Sequence, residues 1–234
     1  MDKLDRLGWA DGICFTSYGL RIGIRVSEPE VLARLPDHLP PGWKPAASPI
    51  VDRLYSLRAA TTGRSTAVRS FNLLYAGPAR LARTKALEEL FEPLESDLQM
   101  FVAEWARRRV FVHAGVVGWR GQAIVIPGMS FSGKSTLVAA LVRAGATYYS
   151  DEYAVFDARG RVHPFPTPLT LVDDHSVRAK KCPVDIPGCR IGTKPLPVGL
   201  VVVHEAVAPI AYGGIDHEIF FPDIPGDAAA GGEA

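Results

Sequence analysis

Apolar and polar positions alternate through the first part of the chain. Gly12–Tyr18 and Leu20–Val26 read as two strands about a turn at Gly19, the second alternating apolar residues with Arg or Gly as a half-exposed strand does. Glu30–Leu35 suggests a short helix, and the run Pro36-Asp37-His38-Leu39-Pro40-Pro41-Gly42 breaks regular structure. Leu54–Arg58 and Ser70–Tyr75 are further strand candidates. From Leu81 to Arg109 the period changes. Leu87, Leu90, Phe91, Leu94, Leu98, Phe101, Val102 and Trp105 recur at three- and four-residue steps, which predicts a helical segment with one face on a core. Pro93 is expected to kink or split it.

The second half reads differently. Val110–Val117 is a strand candidate, Gly118–Gln122 a turn, and Ala123–Ile126 a short apolar run of the kind that forms a buried parallel strand. Thr136–Leu141 reads as a helix that stops at Arg143-Ala144-Gly145-Ala146. Thr147–Ser150 leads into an acidic pair. Tyr153–Phe156 and Arg161–His163 form a predicted hairpin across Asp157–Gly160, and Pro164–Pro168 is extended. Val198–His204 reads as another buried strand, and Pro222–Ala234, rich in Gly, Ala, Pro and acid, as a disordered tail. The pattern predicts an α/β protein: a smaller strand-rich N-terminal region (1–80), a connecting helical segment (81–109), a core with a mixed, mostly buried sheet and flanking helices (110–221), and a tail (222–234).

Composition narrows the partners. The chain of 234 residues has a formal charge of +1, so no general field draws it to nucleic acid or to a membrane surface. Local basic patches remain at Arg107-Arg108-Arg109 and Lys180-Lys181. No run of eighteen apolar residues predicts a membrane helix, and the mixed charges of Met1–Arg6 lead into no signal-type segment. Cys14, Cys182 and Cys189 have no metal-ligand spacing and read as ordinary thiols. A cytoplasmic protein is the expectation.

The chemistry concentrates in Gly128-Met129-Ser130-Phe131-Ser132-Gly133-Lys134-Ser135, which satisfies G-x-x-x-x-G-K-[ST]. The glycines let backbone N–H groups approach phosphate oxygens, Lys134 reaches the β- and γ-phosphates, and the Ser135 hydroxyl ligates Mg²⁺. With an apolar strand before it and a helix after it, the pattern has the context it needs. The expected nucleotide-binding set is Gly128, Ser130, Ser132, Gly133, Lys134, Ser135 and Thr136, with ATP and Mg²⁺ as the ligands. Asp151 and Glu152 follow the next strand, where a carboxylate can hold Mg²⁺ or take a proton from an attacking hydroxyl. His113 ends the strand before the loop strand, which brings it beside the phosphates if the sheet is wound as supposed. A competing reading makes Leu200–Glu205 a strand ending in Glu205, the water-activating carboxylate of an ATPase.

His113-Ala114-Gly115, the loop from Gly128 to Ser135, and Ser150-Asp151-Glu152 together resemble the catalytic core of bacterial HPr kinase/phosphorylase and its relatives. Lys134 follows His113 by 21 positions and Asp151 follows Lys134 by 17, which agrees with that family. Val162–Leu169 and Lys194–Leu200 are similar to a diverged branch of HPr-kinase-related proteins, some of which accompany peptide-tailoring gene clusters. The resemblance covers about residues 110 to 205. It implies a P-loop kinase core of the kind shared with phosphoenolpyruvate carboxykinase. It implies that Asp151 is the general base toward a serine hydroxyl of a small protein or peptide, that His113 lies near the transferred phosphate or Asp151, and that Glu152 assists Mg²⁺. Catalysis would then rest on Asp151, His113 and Lys134, and the metal on Ser135, Glu152 and Asp151. Relatives are often hexamers, so a homo-oligomer is allowed. The later Glu-x-Arg-Gly-type motif of the family is absent; Asp173 or Asp174 with Arg178 stands in its place. Two other functions share the same loop: a kinase of free serine or another small alcohol, and a nucleotide-binding regulatory module without phosphotransfer.

Overall fold

The computed structural model describes residues 3–60, 71–128, 132–172, 179–182 and 189–203, with backbone alone at 3, 170–172 and 179–182. It is mixed α/β, with two mixed sheets and few helices. β1 (Asp11–Ser17) and β2 (Leu20–Val26) pair antiparallel from Ser17 opposite Leu20 outward. The turn residues Tyr18 and Gly19 both have positive φ, 48° and 84°, as a two-residue hairpin matched to strand twist requires. β3 (Lys44–Pro45), β4 (Arg53–Arg58), β5 (Asn72–Ala76) and β6 (Ala79–Thr84) complete a six-stranded sheet in the order β3-β1-β2-β4-β5-β6. Only the β2–β4 pair in it is parallel. One face is covered by a 3₁₀ stretch, Pro29–His38, and by α1 (Phe91–Trp105). Ile22, Ile24, Tyr55 and Leu74 of the strands share a buried core with Leu35, Leu94, Leu98 and Val102 of those helices. Asp97 of α1 accepts hydrogen bonds from the Tyr55 hydroxyl and Arg53 Nη2, both at 2.7 Å, which pins the helix to the sheet.

Three expectations for this half need correction. Residues 81–84 are strand, because the β5–β6 hairpin turns at Gly77 (φ 54°) and Pro78; the periodic stripe becomes α-helix only at Phe91. Pro93 therefore falls in the first turn of α1, where its missing N–H has no intrahelical partner to lose, and it neither kinks nor splits the helix. Pro36 likewise sits inside the 3₁₀ stretch, which runs on to His38.

The second sheet is built on one long strand, β7 (Val110–Trp119), which pairs along both edges. On one side it turns through Arg120 and Gly121, both at positive φ, into β8 (Gln122–Pro127). α2 (Lys134–Arg143) follows the glycine loop and lies across the β7–β8 face, where Val138 packs with Val117 and Ile126. It ends at Gly145, whose φ of 100° suits a glycine stop. β9 (Thr147–Ser150) and β10 (Tyr153–Phe156) return along the other edge of β7, and β11 (Val162–His163) pairs with β10. β12 (Leu169–Val172) and β13 (Ala179–Cys182) form a separate antiparallel ladder. β14 (Val198–Val201) adds to β8 in parallel.

Two further expectations change here. The strand before the loop is not wholly parallel: β8 is antiparallel to β7, since a tight two-residue turn joins them, and parallel to β14. Among the described residues β14 ends the strand order and is exposed rather than buried, with Leu200 and Val201 both about half accessible. His204, Glu205 and the segment 222–234 lie outside the described residues. Among the described residues no helix is long and apolar enough to cross a membrane.

Gly115 marks where helix and strand meet most closely. A Cβ there would stand 2.5 Å from Val138 Cγ2, well inside contact distance. Gly115→Ala is expected to cost about 1–3 kcal/mol, the usual penalty for overpacking, read as a lower urea midpoint. Combining it with Val138→Ala should cost less than the sum of the two single changes, because they share one contact.

Candidate active site

The register of β7 assembles the site. Ser150 faces Val116 and Tyr153 faces His113, so the strand direction continues unbroken through Asp151 and Glu152. The Ala114 N–H donates to the Glu152 carbonyl at 3.2 Å, which holds the acidic pair in line with the ladder. On the opposite edge, Ala114 faces Pro127 and Gly115 faces Ile126, so the glycine loop leaves β8 at the same level. His113-Ala114-Gly115 thus runs between the start of the loop and the carboxylates.

Each part of the loop has a local cause. Gly128 lies where a side chain would meet Ser132 Oγ at 2.7 Å and the Lys134 stem at 3.5 Å. Gly133 caps α2 with φ 87°, in the left-handed region that glycine adopts without strain. The Ser132 Oγ is buried and has no hydrogen-bond partner among the described residues. Lys134 is only 6 % exposed, at the first position of the helix. Burial draws its pKa down, and the charges of Asp151 and Glu152 oppose that shift. Asp151 is 5 % exposed, whereas Glu152 is partly open. Glu152 Oε1 stands 3.6 Å from His113 Nδ1, an ion pair whenever the imidazole is protonated. The Ser150 hydroxyl accepts from the N–H groups of Glu152 and Tyr153 at 3.2 and 3.0 Å, which fixes the turn carrying the acids.

Of the expected residues, His113, Gly128, Ser132, Gly133, Lys134, Asp151 and Glu152 come together around this crossing. Ser135 and Thr136 lie on the first turn of α2, half-buried and exposed respectively. Ser130, Asp173, Asp174 and Arg178 lie outside the described residues. Lys180 and Lys181 belong to β13. His163, in the stretch similar to HPr-kinase-related proteins, is engaged elsewhere. Its Nε2 lies 3.0 Å from Asp157 Oδ2, and that hydrogen bond is the first cause holding the Asp157 carboxyl well below the usual carboxylate range.

An aromatic wall beside the site was not read from the sequence. Tyr153 packs edge-on against His113 and Phe111, and Phe165 completes the cluster. Tyr18, from the β1–β2 turn, stands against Phe111 at 5.1 Å and Phe165 at 6.0 Å. Burial pushes the Tyr18 hydroxyl up to about 12. The alternation of Phe111, His113 and Gly115 on one face of a strand was the available signal; the ring from the N-terminal hairpin had none.

The arrangement can hold an anionic phosphate chain and remove a proton close by. Among the described residues no three His, Cys, Asp or Glu side chains gather as a metal group. Mg²⁺ bound between one or two carboxylates and substrate phosphates needs no such group. Comparison with family models, with curated proteins and with solved structures found no match.

The loop geometry gives a direct test. Gly128→Val would displace Ser132 and Lys134, so affinity for a non-hydrolysable ATP analogue, measured by calorimetry, is expected to fall at least about tenfold, the loss of one charge-assisted contact. The unfolding midpoint should be unmoved.

Proposed function

We propose that the protein is an ATP-dependent kinase with an HPr-kinase-like P-loop core, which transfers the γ-phosphate to a serine hydroxyl of a small protein or peptide. The observation that carries this reading is the crossing on β7, where the start of the glycine loop and a buried aspartate sit at one level on opposite edges of a single strand.

The cradle suits a nucleotide triphosphate. At Gly128 the absence of a side chain lets the Ser132 hydroxyl and the Lys134 stem lie against the backbone, that hydroxyl is buried with no hydrogen-bond partner among the described residues, and Lys134 is held in low dielectric where its charge acts strongly. Ser135 and the acidic pair are the residues to hold Mg²⁺, which when bound neutralises charge on the transferring phosphoryl group.

Asp151 takes the proton of the acceptor hydroxyl as its oxygen bonds to the γ-phosphorus, while the bond to the β–γ bridging oxygen breaks and ADP leaves with that electron pair. Lys134 stabilises charge on the phosphate chain. His113 orients Glu152 through their 3.6 Å contact. Positioning and charge compensation supply most of the acceleration in such reactions, so a rigid strand bearing these groups is the appropriate scaffold.

Asp151→Asn is expected to retain ATP binding and to lower phosphotransfer about 10²- to 10⁴-fold, the range for a positioned general base. The measurement is label transfer from γ-labelled ATP·Mg²⁺ into host extract fractions split by size. Label in a peptide or small protein, lost in the variant, supports the proposal. Unchanged turnover would remove Asp151 as base. Label confined to small metabolites would replace the acceptor class, and ATP binding without label in any fraction would overturn phosphotransfer itself.

A further inference from the structure

At the end of β7 away from the glycine loop there is a recess of about 380 Å³. It is lined by Gly118 and the β7–β8 turn, by Thr147 and Tyr149 of β9, and by Arg190 and Leu196. Gly118 follows His113 by five residues, about 16 Å of strand, so the recess is separate from the crossing that carries Asp151. Its volume falls in the range of small-molecule sites.

The recess is held in shape by contacts that glycine permits. A Cβ at Gly118 would stand 2.8 Å from Tyr149 Cε2 and 2.9 Å from Leu196 Cδ1, and one at Gly192 would overlap the same ring. The two glycines thus seat the Tyr149 ring, whose hydroxyl donates to the Lys194 carbonyl at 2.7 Å. Arg190 is fixed at both ends. Its carbonyl accepts from the Tyr148 N–H at 2.8 Å, and its Nη2 donates to the Gly145 carbonyl at 3.1 Å. Gly145 itself lines the recess, so that bond places the guanidinium at the wall and engages one of its five donors. Arg120 joins from the turn, where its φ is 48°. Among the described residues no carboxylate lines the recess.

This local excess of positive charge stands out in a chain whose formal charge is only +1. A guanidinium fork matches the oxygens of a carboxylate or a phosphate. Tyr149 and Leu196 add apolar surface beside it.

We propose that this recess is a second ligand site, which takes a small organic anion: its carboxylate or phosphate group held by Arg190 and Arg120, its apolar body against Tyr149 and Leu196. The site goes beyond the kinase reading and does not depend on it. Arg190 supplies the preset contact, because a side chain already ordered by Gly145 loses little further freedom on binding. Arg120, exposed on its turn, adds the second charge from the rim.

The test uses the full-length protein with phenylacetate and phenyl phosphate as anionic probes and benzyl alcohol as a neutral body of similar size. Binding is followed through backbone amide shifts by heteronuclear NMR. At least one anion is expected to move the Gly118, Gly121 and Gly145 amides, with a dissociation constant of about 1 mM or tighter for about ten non-hydrogen atoms. The tighter of the two names the charged group. Benzyl alcohol should bind at least about tenfold more weakly, since it lacks the charge-assisted contacts. Arg120→Gln and Arg190→Gln should each weaken the anion about fivefold to tenfold and leave the alcohol unchanged. Arg190→Lys keeps the charge without the fork and should recover part of the loss, which separates charge from any change in fold. Shifts confined to Gly128 and Gly133 would assign the anion to the glycine loop and overturn the second site. Equal affinity for the alcohol, indifference to both arginine changes, or no shift with either anion at about 10 mM, tenfold above the expected constant, would each overturn it as well.

Discussion

The half of the chain that carries the glycine loop depends on how closely α2 lies against β7. Val138 occupies the space that a side chain at position 115 would need, so glycine is the only residue that leaves both elements undisturbed. That contact sets the height of the helix above the sheet. The height in turn sets where Lys134, at the helix's first position, enters the site. A helix held off by one methyl group would carry the lysine and the loop with it, because interiors are packed too densely to absorb the shift locally.

Charge is the second constraint. A buried ammonium is costly unless it has partners, and Lys134 is buried. Asp151 and Glu152 oppose the loss of its charge. Two carboxylates against one lysine leave the crossing acidic, with His113 able to add a positive charge beside Glu152. A triphosphate adds several more negative charges, so the proposed chemistry requires a divalent cation between the phosphates and the acids. The same imbalance argues against a site for a bare anion: the lysine's charge is already shared.

The two sheets meet through rings. Tyr18 is held at the tip of the first hairpin, and its carbonyl accepts from the Arg107 N–H at 3.0 Å. It stacks edge-on against Phe111, two residues before His113. The N-terminal sheet, which had no readable chemistry, thereby supplies one wall near the candidate site. Edge-to-face aromatic contacts add about 0.5–1.5 kcal/mol each beyond burial, enough to make that wall a lasting part of the surface.

Local rules of the chain made much of this legible. The glycine loop, the Gly19 and Gly121 turns, the stop at Gly145 and the acidic pair after Ser150 are each written within a few residues, because turns and caps are short-range steric problems. Alternation and period identified most strands and the α1 stripe. The boundaries near Leu81 and Pro93 were misjudged because a Gly-Pro turn outranked a periodic pattern that begins only later. The sequence by itself therefore determined the local elements, the phosphate-loop composition and the identity of the nearby acids. Only the tertiary structure decided that β8 runs antiparallel to β7, that among the described residues β14 ends the strand order, and that Tyr18 walls the site. Those outcomes depend on which strands pair across tens of residues, and pairing is selected by the burial of whole faces rather than by any neighbouring residue.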